Sequence, residues 1–341
     1  MSPPFHGERM RAYGAIIRDR TLAEVRSWAE GGEVSLMPAM RRITIDVILQ
    51  AVLGIEGEAR GARFRAAIVE NLDAYIPPLL LLPGLRRPLG GLGPWDRFAR
   101  ARDRVSALFH EEIADRRRRG GAGQEDILSL LMSARYEDGA GLDDGELVDE
   151  LRTLIVAGHD TTTTALTWAL FHVHRSPAAL EALRSELAPL AAPPDVEALG
   201  QLPYLGAVCS EALRLHPVVP IVPRRAVRPF SLRGHAVRPG ENVSVATTLL
   251  HMRPDVWPEP ERFLPERFLS KKYTPFEYAP FGGGVRRCIG AAFGAYQMRL
   301  VLGTIVAAAR FAPHREPTPR RVLSSITMGP RGPVKLRLLT R

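Results

Sequence analysis

One helical pattern sets the scale of this chain. It runs from about Asp144 to Arg175 without a stop signal, and Pro177 then forces the residue before it, Ser176, out of helical geometry. At 1.5 Å per residue such a helix is about 45–50 Å long, so the rest of the chain must pack around it. Its middle contradicts its ends. Ala157-Gly158-His159-Asp160-Thr161-Thr162-Thr163-Thr164 places a glycine, an aspartate and four β-branched residues in succession, all poor helix formers. Thr and Asp side chains can bond local backbone groups and open a helix. A weakened centre in a long, otherwise apolar helix is where a ligand groove would form. A solvent-facing polar patch would carry the same residues.

Helical periodicity covers most of the remaining chain. Residues 5–30 read as a helix stopped by Gly31-Gly32, residues 35–54 as a second closed by Gly54, and residues 58–76 as a third. The Pro- and Leu-rich stretch up to Pro94 reads as an apolar loop that covers a pocket, touches lipid or packs on its own core. Helices are expected over Trp95–Arg118, 125–135, 177–190 and Tyr204–Leu215, with a Gly/Asp turn at 139–145 and a Pro/Asp connection at 193–201. The basic run Arg116-Arg117-Arg118-Arg119 before Gly120-Gly121 suits a solvated helix end. Residues 218–250 alternate like short strands, with turns at Arg233-Gly234-His235 and Pro239-Gly240. Residues 311–339 read as short hairpins around Gly329 and Gly332. The class is therefore mainly α with a small β-rich part.

The chemistry is expected at Phe281-Gly-Gly-Gly-Val-Arg-Arg-Cys-Ile-Gly290, just before a helical run from Ala291. Gly282, Gly283 and Gly284 let the backbone turn tightly and approach a flat ligand. Cys288 lies near unpaired helix N–H groups and the positive end of the helix dipole, with Arg286 and Arg287 adding charge. These features favour thiolate, a soft metal ligand and one of the axial ligands of haem iron. A structural cysteine beside an anion-binding glycine loop is the alternative.

Net charge is +9 over 341 residues, but the arginines are scattered and accompany no nucleic-acid motif. A basic docking face for an acidic protein, or a plain solvated surface, accounts for them. Two cysteines make no disulfide framework, and a reducing cytoplasm fits. Cys209, in an apolar helical run, reads as a buried thiol. No signal peptide or membrane span is apparent: the longest strongly apolar run, Ile76–Pro83, is short and broken by prolines.

Phe281, Gly284, Arg286, Cys288 and Gly290 together resemble the haem-binding loop of the cytochrome P-450 family, Phe-x-x-Gly-x-Arg-x-Cys-x-Gly. Three further motifs follow the family's order. Ala157, Gly158, Asp160 and Thr161 match Ala/Gly-Gly-x-Asp/Glu-Thr; Glu211 and Arg214 match Glu-x-x-Arg; Pro265-Glu266-Arg267-Phe268 matches the Pro-Glu-Arg-Phe segment. The resemblance implies one domain over 1–341 with the P-450 fold, haem b held by Cys288, and propionate contacts from Arg286 and from Arg224, ten residues before Gly234. It implies that Asp160 and Thr161 relay protons, and that Glu211, Arg214 and Arg267 form a buried ion-pair network that fixes geometry more than it stabilises. The implied reaction is monooxygenation: dioxygen, two electrons and two protons give hydroxylated product and water. Electrons would come from NAD(P)H through an acidic ferredoxin, as in soluble bacterial members. Apolar residues around the long helix suggest a lipophilic substrate such as a fatty acid or terpenoid.

Members of the family normally carry a segment before the stretch matching Pro3–Met10, with the first sheet strands and an early helix whose basic residues reach the propionates. Here Met1 comes after it, and Trp95 with Arg97 falls too late to replace that helix. The resemblance thus implies an N-terminally truncated fold with an open haem edge and weak haem retention or poor folding. A peroxide-using peroxygenase and a non-catalytic or decayed haem-binding fragment are the alternative functions. The intact Asp160–Thr161 pair argues against the first of these.

Overall fold

The protein is described from a computed structural model covering residues 8–55, 57–119, 126–314, 316–324 and 326–341. Its frame is helical. Helices α1 (Glu8–Arg26), α2 (Leu36–Leu53), α3 (Glu58–Ala74), α5 (Pro94–Arg118), α7 (Asp144–Arg175), α10 (Pro203–Leu215) and α13 (Ala291–Ala308) enclose one hydrophobic core. Shorter helices α4 (Pro77–Leu81), α6 (Ile127–Ser133), α8 (Pro177–Leu187), α9 (Val196–Gln201), α11 (Thr247–Leu250) and α12 (Arg267–Ser270) fill the connections.

The β part is peripheral and antiparallel. Strand β9 (Lys335–Thr340) pairs with β1 (Glu33–Ser35), Val34 opposite Leu336, and with β6 (Arg310–Phe311), Phe311 opposite Leu338. Strands β2 (Ile221–Arg225) and β5 (Asn242–Ala246) pair across an inner hairpin made by β3 (Phe230–Leu232) and β4 (His235–Val237). Strands β7 (Arg321–Ser324) and β8 (Thr327–Pro330) form the last hairpin. Its turn falls before Gly329, which lies inside β8 rather than at the expected turn.

Helix α7 begins on a reciprocal cap. Asp143 Oδ1 accepts from Glu146 N at 2.8 Å and Glu146 Oε2 accepts from Asp143 N at 2.9 Å, which satisfies two otherwise orphaned donors. The expectation that its middle opens is not met: the helix is unbroken from Asp144 to Arg175. Thr161, Thr163 and Thr167 donate back to the carbonyls of Ala157, Thr163's own partner His159, and Thr163 respectively, at 2.6, 3.0 and 2.9 Å. These bonds share an acceptor with the ladder instead of replacing it. Packing against α2 supplies the rest: Thr44 Oγ1 lies 2.7 Å from both His159 Nδ1 and Thr163 Oγ1. Tertiary partners thus override a poor local propensity.

Two connections hold more structure than expected. Residues 193–201 contain α9, started by the Asp195 side chain accepting from Ala198 N at 2.9 Å. The Pro/Leu stretch contains α4 and a 3-10 turn at Pro83–Leu85, while Leu82, Leu85, Leu89 and Leu92 remain exposed. The expected helix start at residue 5, the Gly120-Gly121 stop and the start at residue 125 lie outside the described residues. Cys209 is buried as expected, and burial pushes its thiol up to about 12.

Helix α13 is long and apolar enough to cross a membrane by length and composition alone. In the fold 61% of it is buried, against α1, α7, α9 and α10.

Five histidines, His159, His172, His174, His216 and His251, are buried. Desolvation lowers His159 and His172 to about 3, His174 and His251 to about 4, and His216 well below 6.5. A histidine depressed in the folded state binds its proton first in the unfolded chain. Its contribution is complete above about 6.5 and is lost as pH falls towards 3–4. Urea midpoints should therefore fall steadily from pH 6.5 to 4.5, each histidine contributing up to about 1.4 kcal/mol per pH unit. A flat midpoint across that window would show that these rings are not held neutral.

Candidate active site

A cavity of about 330 Å³ lies between the middle of α7 and the Cys288 loop. Helix α7 lines it with Leu154, Ala157, Gly158, Thr161, Thr162 and Ala165, and α2 with Ile48 and Val52. Val218, Val219 and Val222 close one side, the hairpin residue Ile326 another, and Phe293, Gly294 and Met298 of α13 the floor beside the loop. The walls are predominantly apolar, because each contributing element turns its core-facing stripe inward.

The glycine loop folds as its sequence demands. Gly282 and Gly284 adopt left-handed φ of +68° and +66°, which a side chain would strain. The Cys288 N–H donates to Phe281 O at 2.9 Å and the Arg287 N–H to Gly284 O at 3.1 Å, which close the loop. Gly290 caps α13, whose first intrahelical bond runs from Gly294 N to Gly290 O at 2.8 Å. A Cβ on Gly290 would stand 4.0 Å from the Cys288 sulfur. Cys288 is a free, exposed thiol on the cavity lining, as are exposed Arg286 and half-buried Phe281.

The other expected residues divide. Thr161 is half-buried on the cavity wall, its hydroxyl donating to Ala157 O at 2.6 Å. Asp160 is off the wall. Its Oδ2 accepts from Thr327 Oγ1 at 2.8 Å, and its Oδ1 lies 4.0 Å from Arg41 Nη2. Burial raises its carboxyl above the usual range, the Thr327 bond and Arg41 pull it down, and Asp73 adds a small upward push. Arg224 is exposed on β2, its Nη1 donating to Pro223 O at 2.9 Å, and does not line the cavity.

Glu211, Arg214 and Arg267 come together away from the cavity. Arg214 Nε and Nη2 donate to the two Glu211 oxygens at 2.7 and 2.8 Å, and Arg267 Nε to Glu211 Oε1 at 3.2 Å. Sequence reasoning missed Ile48, Val52, Ile326, Thr327 and Arg41. The first two sit in an apolar helix with no distinguishing letter, and the others reach α7 only through the tertiary fold.

Gly158 permits the approach of α2. A Cβ there would stand 2.7 Å from Ile48 Cδ1. Gly158→Ala should gain about 1 kcal/mol of helix propensity and lose about 1–3 kcal/mol to overpacking. Ile48→Val removes the clashing carbon, so a double-mutant cycle should show a favourable coupling of about 1 kcal/mol. Additive denaturation energies would mean that Ile48 turns aside freely.

The residues suit haem. Among the described residues no group of three or more His, Cys, Asp or Glu side chains could by itself hold a metal. The Cys288 sulfur would hold the iron of a haem as a soft ligand. Apolar walls suit the macrocycle, and Arg286 on the lining suits a carboxylate edge.

The sequence pattern described as cytochrome P450 matches residues 4–336. Among curated proteins, "Putative cytochrome P450 138" of Mycobacterium tuberculosis is 34% identical over 315 residues, covering 90% of this chain and 67% of its own. "Putative cytochrome P450 135B1" of the same organism is 34% identical over 340 residues, covering 99% and 71%. Among solved structures, the crystal structure of the cytochrome P450DA heme domain superposes with a TM-score of 0.84 at 24% identity, covering 99% of this chain and 75% of that one. That superposition carries the fold, and the sequence matches carry the family. The chain belongs to the cytochrome P-450 family, haem-thiolate monooxygenases whose cofactor is haem b.

Proposed function

We propose that the cavity between α7 and the Cys288 loop is the reaction chamber, where the Cys288 sulfur would hold haem iron. The observation that carries this reading is the placement of a free, exposed thiol on one side of an apolar cavity and the middle of α7 on the other. Bound there, haem supplies the activation of dioxygen, and the protein supplies ligation, orientation and proton handling. Phe281, Gly284 and Gly290 shape the loop that presents the sulfur. Arg286 on the lining would hold a propionate, and Arg224, two residues beyond the lining residue Val222 on the same strand face, would hold the other.

Thr161 lines the cavity with its hydroxyl bonded back to Ala157 O, and Asp160, one residue earlier and buried off the wall, carries the exchangeable proton. The apolar walls select a lipophilic substrate, of fatty-acid or terpenoid character, and exclude water from it. Exposed Arg287 beside the ligand loop fits an acidic electron donor of ferredoxin type working in the cytoplasm.

The haem-loaded chain, given a ferredoxin, its reductase, NAD(P)H and ¹⁸O-labelled dioxygen, should yield a product carrying one labelled oxygen atom from a panel of such substrates. Product with peroxide alone, and none with the electron chain, would replace this reading with a peroxygenase. No product under either condition, in protein that holds haem, would leave a binding fragment.

A further inference from the structure

Strand β8 lies along α7, bonded to it at two points and close to it at a third, the three helix residues being about one turn apart. Thr327 Oγ1 lies 2.8 Å from Asp160 Oδ2. A Cβ on Gly329 would stand 3.9 Å from Thr164 Cγ2. The Trp168 indole N–H donates to Met328 O at 3.3 Å. Asp160, Thr164 and Trp168 follow one another at four-residue steps on one helix face. The residue before Thr327, Ile326, lines the cavity.

Thr327 has a second neighbour. Its hydroxyl oxygen is 3.0 Å from Ser324 O, the residue opposite it in the hairpin. A hydroxyl has one proton to donate and lone pairs to accept another, so Thr327 cannot serve both acceptors fully. With Asp160 ionised, the hydroxyl donates to Oδ2, because a carboxylate is the stronger acceptor. With Asp160 protonated, the carboxyl O–H donates to Thr327 Oγ1 and the hydroxyl proton turns to Ser324 O. Both states leave the Asp160 carboxyl and the Thr327 hydroxyl paired with each other, and neither requires a heavy atom to move. A buried carboxyl without such a partner is left unsatisfied in one of its two states, at considerable cost.

We propose that Thr327 is a positioning residue for Asp160, which reverses the direction of its hydrogen bond so that the buried carboxyl takes up and releases a proton in place while the Ile326 wall of the cavity stays fixed. This rests on the reading of Asp160 as the proton-handling acid. The proton comes from water and returns to water or to the cavity, and no other atom or electron changes hands. The charges facing the pair are Arg41 of α2, which favours the carboxylate, and Asp73 of α3, which opposes it and holds Arg41 Nη1 at 3.2 Å. His159 is turned away towards Thr44.

The test compares the haem-loaded wild type with Thr327→Val, Thr327→Ser and Asp160→Asn. The infrared band of a protonated carboxyl that disappears in Asp160→Asn reports Asp160 directly, independently of turnover. In Thr327→Val that band should titrate at higher pH than in the wild type, because the ionised form has lost its donor; Thr327→Ser should restore it. The pH limb of kcat should move the same way, with kcat about tenfold lower in Thr327→Val, the size of one hydrogen bond to a charged group, and little change in KM. Thr327→Ala makes the same comparison should Thr327→Val not take up haem. Unchanged titration in folded Thr327→Val or Thr327→Ala overturns the proposal. A shifted titration together with wild-type turnover in Asp160→Asn supports the hydrogen-bond reversal and removes the proton-handling reading of Asp160.

Discussion

Cys288→Ser, purified with haem supplied, is expected to lose the red-shifted Soret band that the reduced, carbon-monoxide-treated wild type gives, and its monooxygenase turnover should fall to background. A serine hydroxyl is close in size but hard and neutral, a poor substitute for a soft thiolate. Packing does not confuse the experiment. Cys288 is exposed, so the substitution should change the stability of the haem-free fold by less than about 0.5 kcal/mol. Cys209→Ser is the matched control with the opposite pattern. That thiol is fully inside the core of α10, and a hydroxyl in its place costs about 1–3 kcal/mol unless it finds a partner. It should keep the spectrum and lose stability. A wild type without the sulfur-type band, or a serine variant that retains it, would end the assignment of Cys288 as ligand.

The fold of the Cys288 loop was legible because its residue types answer local demands. Gly282 and Gly284 are needed for left-handed backbone, and Cys288 must stand free at the end of a closed turn. Each requirement acts within ten residues, so the letters carry it. The ion-pair residues were legible only as a motif: Glu211 and Arg214 are helix neighbours, but Arg267 joins them from a distant connection. The Asp160–Thr327 bond spans 167 residues and left no local trace. Asp160 and Thr161 are neighbours in sequence, but neighbouring helical residues point about 100° apart, and of the two only Thr161 lines the cavity.

Propensity misled where tertiary partners were strong. The threonine run of α7 reads as a weakened centre, but back-bonded hydroxyls and the Thr44–His159–Thr163 cluster hold it helical. At α9 the Pro/Asp stretch reads as a connection, but the Asp195 side chain caps the next turn into a helix. The apolar Pro/Leu stretch reads equally as a pocket cover, a lipid contact or a loop packed on its own core; Leu82, Leu85, Leu89 and Leu92 are exposed while Leu79 is buried.

Arg214→Ala should be among the most destabilising single substitutions in the chain. Arg214 and Glu211 are fully buried, and the guanidinium serves more than the carboxylate. Its Nη1 donates to His251 O at 2.9 Å and Pro260 O at 2.8 Å, and its Nη2 to Arg262 O at 3.1 Å. Truncation leaves Glu211 short of its main counter-ion and strands three carbonyls of the connection that follows β5. Breaking one side of a buried pair costs about 3–5 kcal/mol, and the carbonyls add to that. Arg267→Ala should cost less, because its bond to Glu211 is longer and its other donors reach only Pro258 O and Glu259 O near the surface. Replacing both members of a buried pair by apolar residues is often nearly neutral, but not here. Glu211→Leu/Arg214→Met would still orphan those carbonyls and the Leu264 N–H, which donates to Glu211 Oε1 at 2.9 Å. The double variant should therefore remain about 2–4 kcal/mol below wild type in urea denaturation, several orphaned groups at about 1–3 kcal/mol each, partly relieved by water. Recovery of wild-type stability would mean that the pair acts through charge alone, and that the connection carrying Arg267 does not depend on it.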